Sequence, residues 1–248
     1  MSAFDHYSAY YNLLYRDKDY RAEADYVGGL IREFHPKGKS LLELGCGTGK
    51  HAELFRGQGY QPEGVDMSAT MLDQARKAYP AIAFHLGDAR KVRLNKRFDI
   101  VTSLFHVASY QTSNEDLAAY MATAREHLNQ GGLFVFDFWY GPGVLSDPPA
   151  VRVKRLEDEN ASVLRIAEPT IFPNRNVVNV HYDVQVRRQG AKDMDVISED
   201  HAMRYFFAPE LDFVLSASGF KLKALRDWMK ADAPAAQSWT AVMVAEAV

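Results

Sequence analysis

The chain has a single cysteine, Cys46, so no intramolecular disulfide can brace it. It has no run approaching the roughly 20 apolar residues of a membrane helix, and its start lacks the basic-then-apolar layout of a secretory leader. A formal net charge of −3 gives no sign of a basic face, so neither nucleic acid nor membrane is an expected partner. The eight histidines show no spacing with carboxylates that argues for a metal. No internal repeat or low-complexity segment is present. What remains is an ordinary cytoplasmic globule. Its 248 residues, 47% hydrophobic and 25% charged, can bury the core of one large domain.

Against this background one stretch stands out, Leu41-Leu42-Glu43-Leu44-Gly45-Cys46-Gly47-Thr48-Gly49. A short apolar run leads into three alternate glycines, and helical character begins after Thr48, which reads as strand, turn, helix. Glycines let such a turn fold tightly and let a ligand approach the backbone at the start of the helix. The nicotinamide fingerprint G-x-G-x-x-G fits imperfectly, because its third glycine would fall at Lys50. Cys46 reads as a small residue that fits the turn, not as a nucleophile.

Strand and helix signals then alternate, as in a doubly wound α/β sheet. Strands are expected at Tyr60–Val65, Ile82–Leu86, Phe98–Leu104 and Leu133–Phe136. Helices are expected from the Ser68 cap to about Ala78 and from Ser113 or Asn114 to Leu128, with a turn at Asn129-Gln130-Gly131-Gly132. Ligands of such sheets sit outside the carboxyl ends of the strands. Asp66, at the end of the second strand, can accept from both hydroxyls of a ribose. Asp88, in Gly87-Asp88-Ala89-Arg90 after the third, can accept from an adenine amine while Ala89 and its backbone neighbours meet the ring. A helix-supporting carboxylate and a self-bonding turn are the competing readings of these two aspartates. With the glycine loop, they converge on one adenosine.

The fourth strand runs into Leu104-Phe105-His106-Val107-Ala108-Ser109-Tyr110-Gln111, where acceptor chemistry belongs in this fold. It lacks the D/N-P-P-Y/F tetrad of amino-directed DNA methyltransferases, and Asp147-Pro148-Pro149-Ala150 reads as a linker. His106 can take a proton from an acceptor and Tyr110 can orient one; the sequence leaves open which, if either, is the base. Tyr7, Tyr11 and Tyr15 repeat at helical spacing, with Tyr10 and Tyr20 alongside, which suits packing or a lid. From Val151 to Phe207 apolar and polar residues alternate, as in Val178, Val180, Tyr182, Val184 and Val186, the pattern of antiparallel strands. A helix from Pro209 to before Gly219 and strands near Phe220–Leu225 and Trp239–Val244 would complete the sheet. An insertion at this point can fold over the acceptor pocket, with Trp139, Tyr140, Arg165, Tyr182 and His201 as wall residues.

The pattern Glu43-x-Gly45-x-Gly47-x-Gly49 resembles motif I of the class I S-adenosylmethionine-dependent methyltransferases, and 39–137 resembles that class throughout. The whole chain is similar to the sugar-nucleotide N,N-dimethyltransferases of deoxyaminosugar pathways, and more distantly to glycine N-methyltransferase. The likeness rests on Tyr11-Asn12-Leu13-Leu14-Tyr15 with Lys18-Asp19-Tyr20, on the glycine loop, and on Gly64-Val65-Asp66-Met67-Ser68, Gly87-Asp88 and Val180-His181-Tyr182. It implies a Rossmann-like, seven-stranded doubly wound sheet with an inserted antiparallel segment covering the active site. The implied layout is a single unit, 1–248, with a helical lid (1–37), a cofactor core (38–140), inserted strands (150–207) and sheet completion (208–248).

The resemblance implies S-adenosylmethionine as cofactor, with S-adenosylhomocysteine as product. Tyr11, Glu43, Gly45, Cys46, Gly47, Gly49, Asp66, Met67, Asp88, Ala89 and Leu104 would border it, with Tyr11 touching it directly, Asp66 on its ribose, and Met67 and Asp88 on its adenine. Tyr15 would join the acceptor wall. Tyr110 stands where the sugar enzymes carry a histidine close to the acceptor amine, a departure that leaves the acceptor open. The expected reaction moves a methyl group to a nitrogen or oxygen of a small polar acceptor, among them an amino sugar nucleotide. A cofactor-binding sensor and a nicotinamide oxidoreductase are the competing classes. The oligomeric state is left open, a homodimer included.

Overall fold

The computed structural model describes residues 16–157, 161–190 and 193–248. Helix α1 (Tyr20–Phe34) starts at Asp19, whose carboxylate accepts from the Ala22 N–H. Alternating elements follow: β1 (Ser40–Leu44), α2 (Lys50–Gly57), β2 (Gln61–Asp66), α3 (Ala69–Ala78), β3 (Ala83–Leu86) and β4 (Phe98–Ser103). Ser68 caps α3 as expected, its Oγ accepting from the Met71 N–H. A single 3₁₀ turn, Val107–Tyr110, leads to α4 (Asn114–Glu126), capped by Ser113. Next come β5 (Leu128–Tyr140) and α5 (Gly141–Ser146), then the irregular Pro148–Ala150 segment. Four strands form a meander, β6 (Arg152–Glu157), β7 (Ala161–Phe172), β8 (Val177–Arg188) and β9 (Asp195–Phe206). Helix α6 (Ala208–Ala217) and strands β10 (Phe220–Asp227) and β11 (Thr240–Ala247) complete the chain order.

One local expectation is corrected, and one short helix had no counterpart in the sequence reading. The turn expected at Asn129–Gly132 lies inside β5 as an irregularity: Phe98 pairs with Leu128 and Ile100 with Leu133, and Gly131 absorbs the bend at φ +75°. Its glycines bend the strand without ending it, because pairing with β4 resumes on the far side. Helix α5 went unforeseen, since Gly141-Pro142-Gly143 reads as loop; here Pro142 sits in the first turn, where its missing N–H costs nothing. Tyr7, Tyr10, Tyr11 and Tyr15 lie outside the described residues.

Seven strands take the order β3-β2-β1-β4-β5-β11-β10, with the first five parallel, β11 antiparallel to β5 and β10 antiparallel to β11. Parallel strands buried on both faces need apolar residues at consecutive positions, which Leu41-Leu42 and Phe134-Val135-Phe136 supply. One face of the sheet, with Leu41, Ile100, Val135 and Val244, packs on α1 and on Phe55 of α2. The opposite face, with Leu42, Val101, Phe134 and Phe136, packs on Leu117 and Tyr120 of α4 and Leu211 and Leu215 of α6. Each such side chain contributes about 1.5–3 kcal/mol on burial.

The strand order reverses between β1 and β4, which opens a crevice at their carboxyl ends. The meander closes one side of it. β4 stops at Ser103, opposite Phe136, and β9 then runs parallel to β5 through Trp139↔Tyr205 and Tyr140↔Phe206. Because Trp139 also pairs with Thr240 of β11 on one edge, β9 must occupy the edge that β4 has vacated. The antiparallel strands therefore stand above the end of β4.

Candidate active site

At these strand ends lies a cavity of about 490 Å³, bordered by the glycine loop, the loops after β2, β3 and β4, the end of β5, and residues of β8 and β9. The loop after β1 turns through Gly45 (φ +79°), Gly47 (φ +53°) and Gly49 (φ +76°). A Cβ at Gly45 would sit 2.5 Å from Val107 Cγ2, so this glycine lets the 3₁₀ turn approach. At Gly49 a Cβ would meet the Phe84 ring at 2.7 Å, which makes Gly49 a packing and helix-start residue; it does not border the cavity. Around Gly47 a Cβ would meet only Met71 Sδ, at 3.6 Å, which leaves that backbone open to the cavity.

Asp66 organises the loop from the side. Its Oδ2 accepts from the Gly47 N–H at 2.7 Å and its Oδ1 from the Ser68 N–H at 2.8 Å. Burial pushes its carboxyl pKa up, against the lowering effect of those N–H groups. Each oxygen retains acceptor capacity for a diol. Asp88 is held differently: the Arg90 guanidinium clamps it, with Nη2 2.6 Å from Oδ2, and the Arg90 N–H also bonds Oδ1. Those hydrogen bonds hold its pKa below the usual carboxylate range. Arg90 thus occupies much of Asp88's acceptor capacity, and the self-bonded turn weighed above is present. Met67 and Ala89 border the cavity beside these two aspartates.

Cys46 borders the cavity too, but burial pushes its thiol well up, as suits a packing residue. Glu43 does not reach the cavity: it is 1% exposed, and burial raises its pKa. It meets His51 of α2, whose Nδ1 lies 3.5 Å from Glu43 Oε1, while His51 Nε2 lies 2.9 Å from Glu23 Oε2 of α1. Lys18 pairs with the same Glu23, and Lys50 places its ammonium 4.7 Å from the centre of the Tyr20 ring. Tyr20, Lys50 and His51 all border the cavity beneath the glycine loop. Sequence reasoning missed this group of charges. The available signal was Lys50-His51 in the first turn of the helix that the loop opens.

Burial lowers the His51 pKa, but the bonds with Glu23 and Glu43 outweigh it and raise the value from 6.5 to about 8. The stability this provides is complete below pH 6.5 and is lost as pH rises through about 8. Denaturant unfolding of the wild type is expected to show a loss of up to about 2 kcal/mol across that window. A His51→Gln variant should show a flat profile there, and an unchanged slope would contradict the assignment.

After β4 the backbone is strained, with Phe105 and His106 in succession at φ +66° and +65°. What holds them is Asp137 of β5, 1% exposed, whose two oxygens accept from the His106 N–H at 3.1 and 3.2 Å. Asp137 Oδ2 also lies 2.7 Å from His106 Nδ1, an ion-pair contact without hydrogen-bond alignment. Asp137 was missed, although an acid inside the apolar run Phe136-Asp137-Phe138 is itself a signal of buried polar work. Leu104 and His106 border the cavity, as does Trp139, whose N–H donates to Ser109 Oγ at 3.0 Å and ties β5 to the 3₁₀ turn.

Tyr110 presents its hydroxyl to His201 Nδ1 of β9 at 2.9 Å, and His201 Nε2 lies 3.2 Å from Glu199 Oε2. The Tyr182 ring of β8 packs edge-on to His201 with centroids 5.1 Å apart. Tyr110, Tyr182 and His201 border the cavity. Arg165 and Tyr140, expected as walls, do not. Arg165 stacks its guanidinium 5.2 Å from the Tyr182 ring, outside the cavity border, and Tyr140 packs toward the core against Phe138. Tyr11 and Tyr15 fall outside the described residues. Among the described residues no cluster suited to a metal ion occurs, and no helix is long and apolar enough to cross a membrane.

The model of a family described as "Methyltransferase domain" matches residues 41–132, from β1 to the bulge in β5. A Streptomyces venezuelae protein, dTDP-3-amino-3,4,6-trideoxy-alpha-D-glucopyranose N,N-dimethyltransferase, is 32% identical over 217 residues, 87% of this chain and 90% of its own. The chain belongs to the S-adenosylmethionine-dependent methyltransferases. The crystal structure of Streptomyces venezuelae DesVI superposes on the enzyme with a TM-score of 0.80 at 28% identity, covering 96% of this chain and 97% of the other. An amino pentose methyltransferase of Micromonospora echinaspora, solved with SAM bound, gives a TM-score of 0.78 at 27% identity, covering 99% and 98%. The methyltransferase therefore takes S-adenosylmethionine and not a nicotinamide cofactor. Its open Gly47 backbone and the acceptor capacity of Asp66 fit that molecule.

Proposed function

We propose that this cytoplasmic enzyme methylates the amine of a deoxyaminosugar nucleotide. One observation carries the reading: a single cavity joins the glycine loop and Asp66 to the Tyr110, Tyr182 and His201 wall, so cofactor and acceptor would meet in one space. The Streptomyces venezuelae relative, whose name states an aminosugar nucleotide acceptor, supports it.

In this reading 38–140 and 208–248 hold the cofactor and 150–207 cover the acceptor within a single unit, while α1, packed on the sheet, belongs to the core and not to a lid. Bound S-adenosylmethionine supplies an electrophilic methyl group on a sulfonium. Asp66 would hold the ribose hydroxyls, and Met67, Asp88 and Ala89 would border the adenine. Gly45, Cys46 and Gly47 bring backbone against the methionine portion, with Leu104 alongside. Trp139, Tyr182 and His201 wall the acceptor, and His106 and Tyr110 orient or deprotonate it. Most of the rate then comes from alignment in a closed site.

The test is turnover with labelled cofactor against dTDP-linked 3-amino and 4-amino deoxysugars, free glycine and hydroxyl-only sugar nucleotides. Successive N-methyl and N,N-dimethyl products from an aminosugar nucleotide are expected. Transfer to glycine or a hydroxyl alone would defeat the proposal, and tight cofactor binding with no transfer to any acceptor would favour a sensor.

A further inference from the structure

An amine bound at neutral pH arrives as an ammonium and has no lone pair to offer until a proton leaves. On the acceptor side of the cavity His106 and the Tyr110–His201 pair are both exposed to it, and the protein treats them differently. His106 is drawn to Asp137 on the β5 side, and Asp137 is committed to holding the strained backbone of the same histidine. Tyr110, His201 and Glu199 instead form a line that leads away from the cavity.

Strand alternation explains the line. Glu199, His201 and Met203 project from one face of β9, beside Tyr182 of β8, while Asp200 projects from the other face toward Asn179 and His181. The Glu199 side chain is 8% exposed and that of His201 is 5% exposed, so this is a desolvated pair. With a carboxylate facing Nε2 and a phenol facing Nδ1, His201 is placed to donate to Glu199 through Nε2 and to accept the Tyr110 hydroxyl on Nδ1.

We propose that Tyr110, His201 and Glu199 form a proton relay that deprotonates the acceptor amine, with Tyr110 and His201 as catalytic residues and Glu199 as the positioning residue. The inference rests on the aminosugar reading for its substrate, not for its geometry. The ammonium proton passes to Tyr110 Oη as the Tyr110 hydroxyl proton passes to His201 Nδ1, leaving a neutral amine, a neutral phenol and an imidazolium beside Glu199. The amine lone pair then forms the N–C bond as the C–S bond breaks and the sulfonium becomes a neutral thioether. The relay proton leaves to solvent before a second methylation. Burial lowers the His201 pKa and Glu199 opposes it, with Asp200 adding a smaller push upward; among the described residues Tyr182, with Arg165 over its ring, is a further titratable neighbour. Nδ1 of His201, 2.9 Å from the Tyr110 hydroxyl, is the atom placed to receive the proton.

Two measurements test the relay. Imidazole ¹⁵N spectra of the full chain, which need no acceptor, are expected to show His201 protonated on Nε2 alone at pH 7, with its titration displaced to lower pH in Glu199→Gln. The opposite tautomer, or an unmoved titration, would overturn the proposal. Steady-state kinetics should show Tyr110→Phe losing roughly a hundredfold in kcat near pH 7 with KM within about threefold, and regaining most of it near pH 9.5, where the amine deprotonates unaided. A loss below about fivefold, or one that high pH does not repair, would overturn it, as would such repair in His106→Gln instead. If the spectra behave as expected but no aminosugar nucleotide is methylated by the wild type, the acceptor assignment fails and the relay geometry stands.

Discussion

An Asp66→Ala variant is expected to bind S-adenosylhomocysteine more weakly than the wild type by a factor of roughly a hundred to a thousand, measured by calorimetry. The carboxylate does two jobs. It accepts the Gly47 and Ser68 N–H groups, which sets the shape of the glycine loop, and it offers its remaining lone pairs to a ribose diol. Charge-assisted hydrogen bonds contribute about 1.5–3 kcal/mol each, so losing two to the diol, at the lower end of that range, costs about 3–4 kcal/mol of binding. That range corresponds to the stated factor, since about 1.4 kcal/mol is tenfold. The two N–H groups left behind face a cavity that water can enter, so the melting temperature should fall less steeply than the affinity. Asp66→Asn, which keeps one acceptor oxygen, should lie between. Binding within tenfold of wild type in the alanine variant would remove Asp66 from the cofactor site.

An Asp137→Ala variant should unfold more easily by about 3 kcal/mol, which for a chain of this size lowers the melting temperature by roughly 6–12 °C. Asp137 is buried and serves both the N–H and the imidazole of His106, so truncation leaves a buried donor unpaired. It also releases two consecutive residues from the left-handed region, where side chains other than glycine are strained. Phe105 and His106 would then relax away from the cavity, and turnover should drop further than stability alone explains. Asp137→Asn preserves an acceptor for the N–H and should recover about half of the lost stability. A melting temperature unchanged in the alanine variant would show that the loop is held by something else.

Much of this architecture was legible in residue patterns because each signal was local. Three alternate glycines, an aspartate after the second strand and another after the third are each read within a few residues, and their convergence followed from the rule that strand ends face the ligand. What escaped depends on which way a side chain points. Alternation in β8 places Tyr182 and His181 on opposite faces but does not say which face looks at the cavity. The same limit put Arg165 and Tyr140 in the wall, when one stacks outside it and the other packs into the core. Tyr110 and His201 are separated by 91 positions, and no spacing reports a contact at that range. Glu43 was expected to border the cofactor, while its partner proved to be His51, itself held by Glu23 of a helix that precedes the sheet. The bulge at Asn129–Gly132 shows the reverse error, where a strong local turn signal yielded to pairing with β4 on either side.

The placement of β11 bears on how the protein is made. β5 carries Asp137 and Trp139, yet one of its edges is covered only when Thr240–Ala247 lays down antiparallel against it. Until Thr240–Ala247 has paired, the apolar strand Leu133–Phe138 has an open row of backbone donors and acceptors, the template that edge-to-edge aggregation uses. Order at the active site therefore depends on that late-joining partner, because the strand that steadies His106 lacks its second neighbour until β11 has docked.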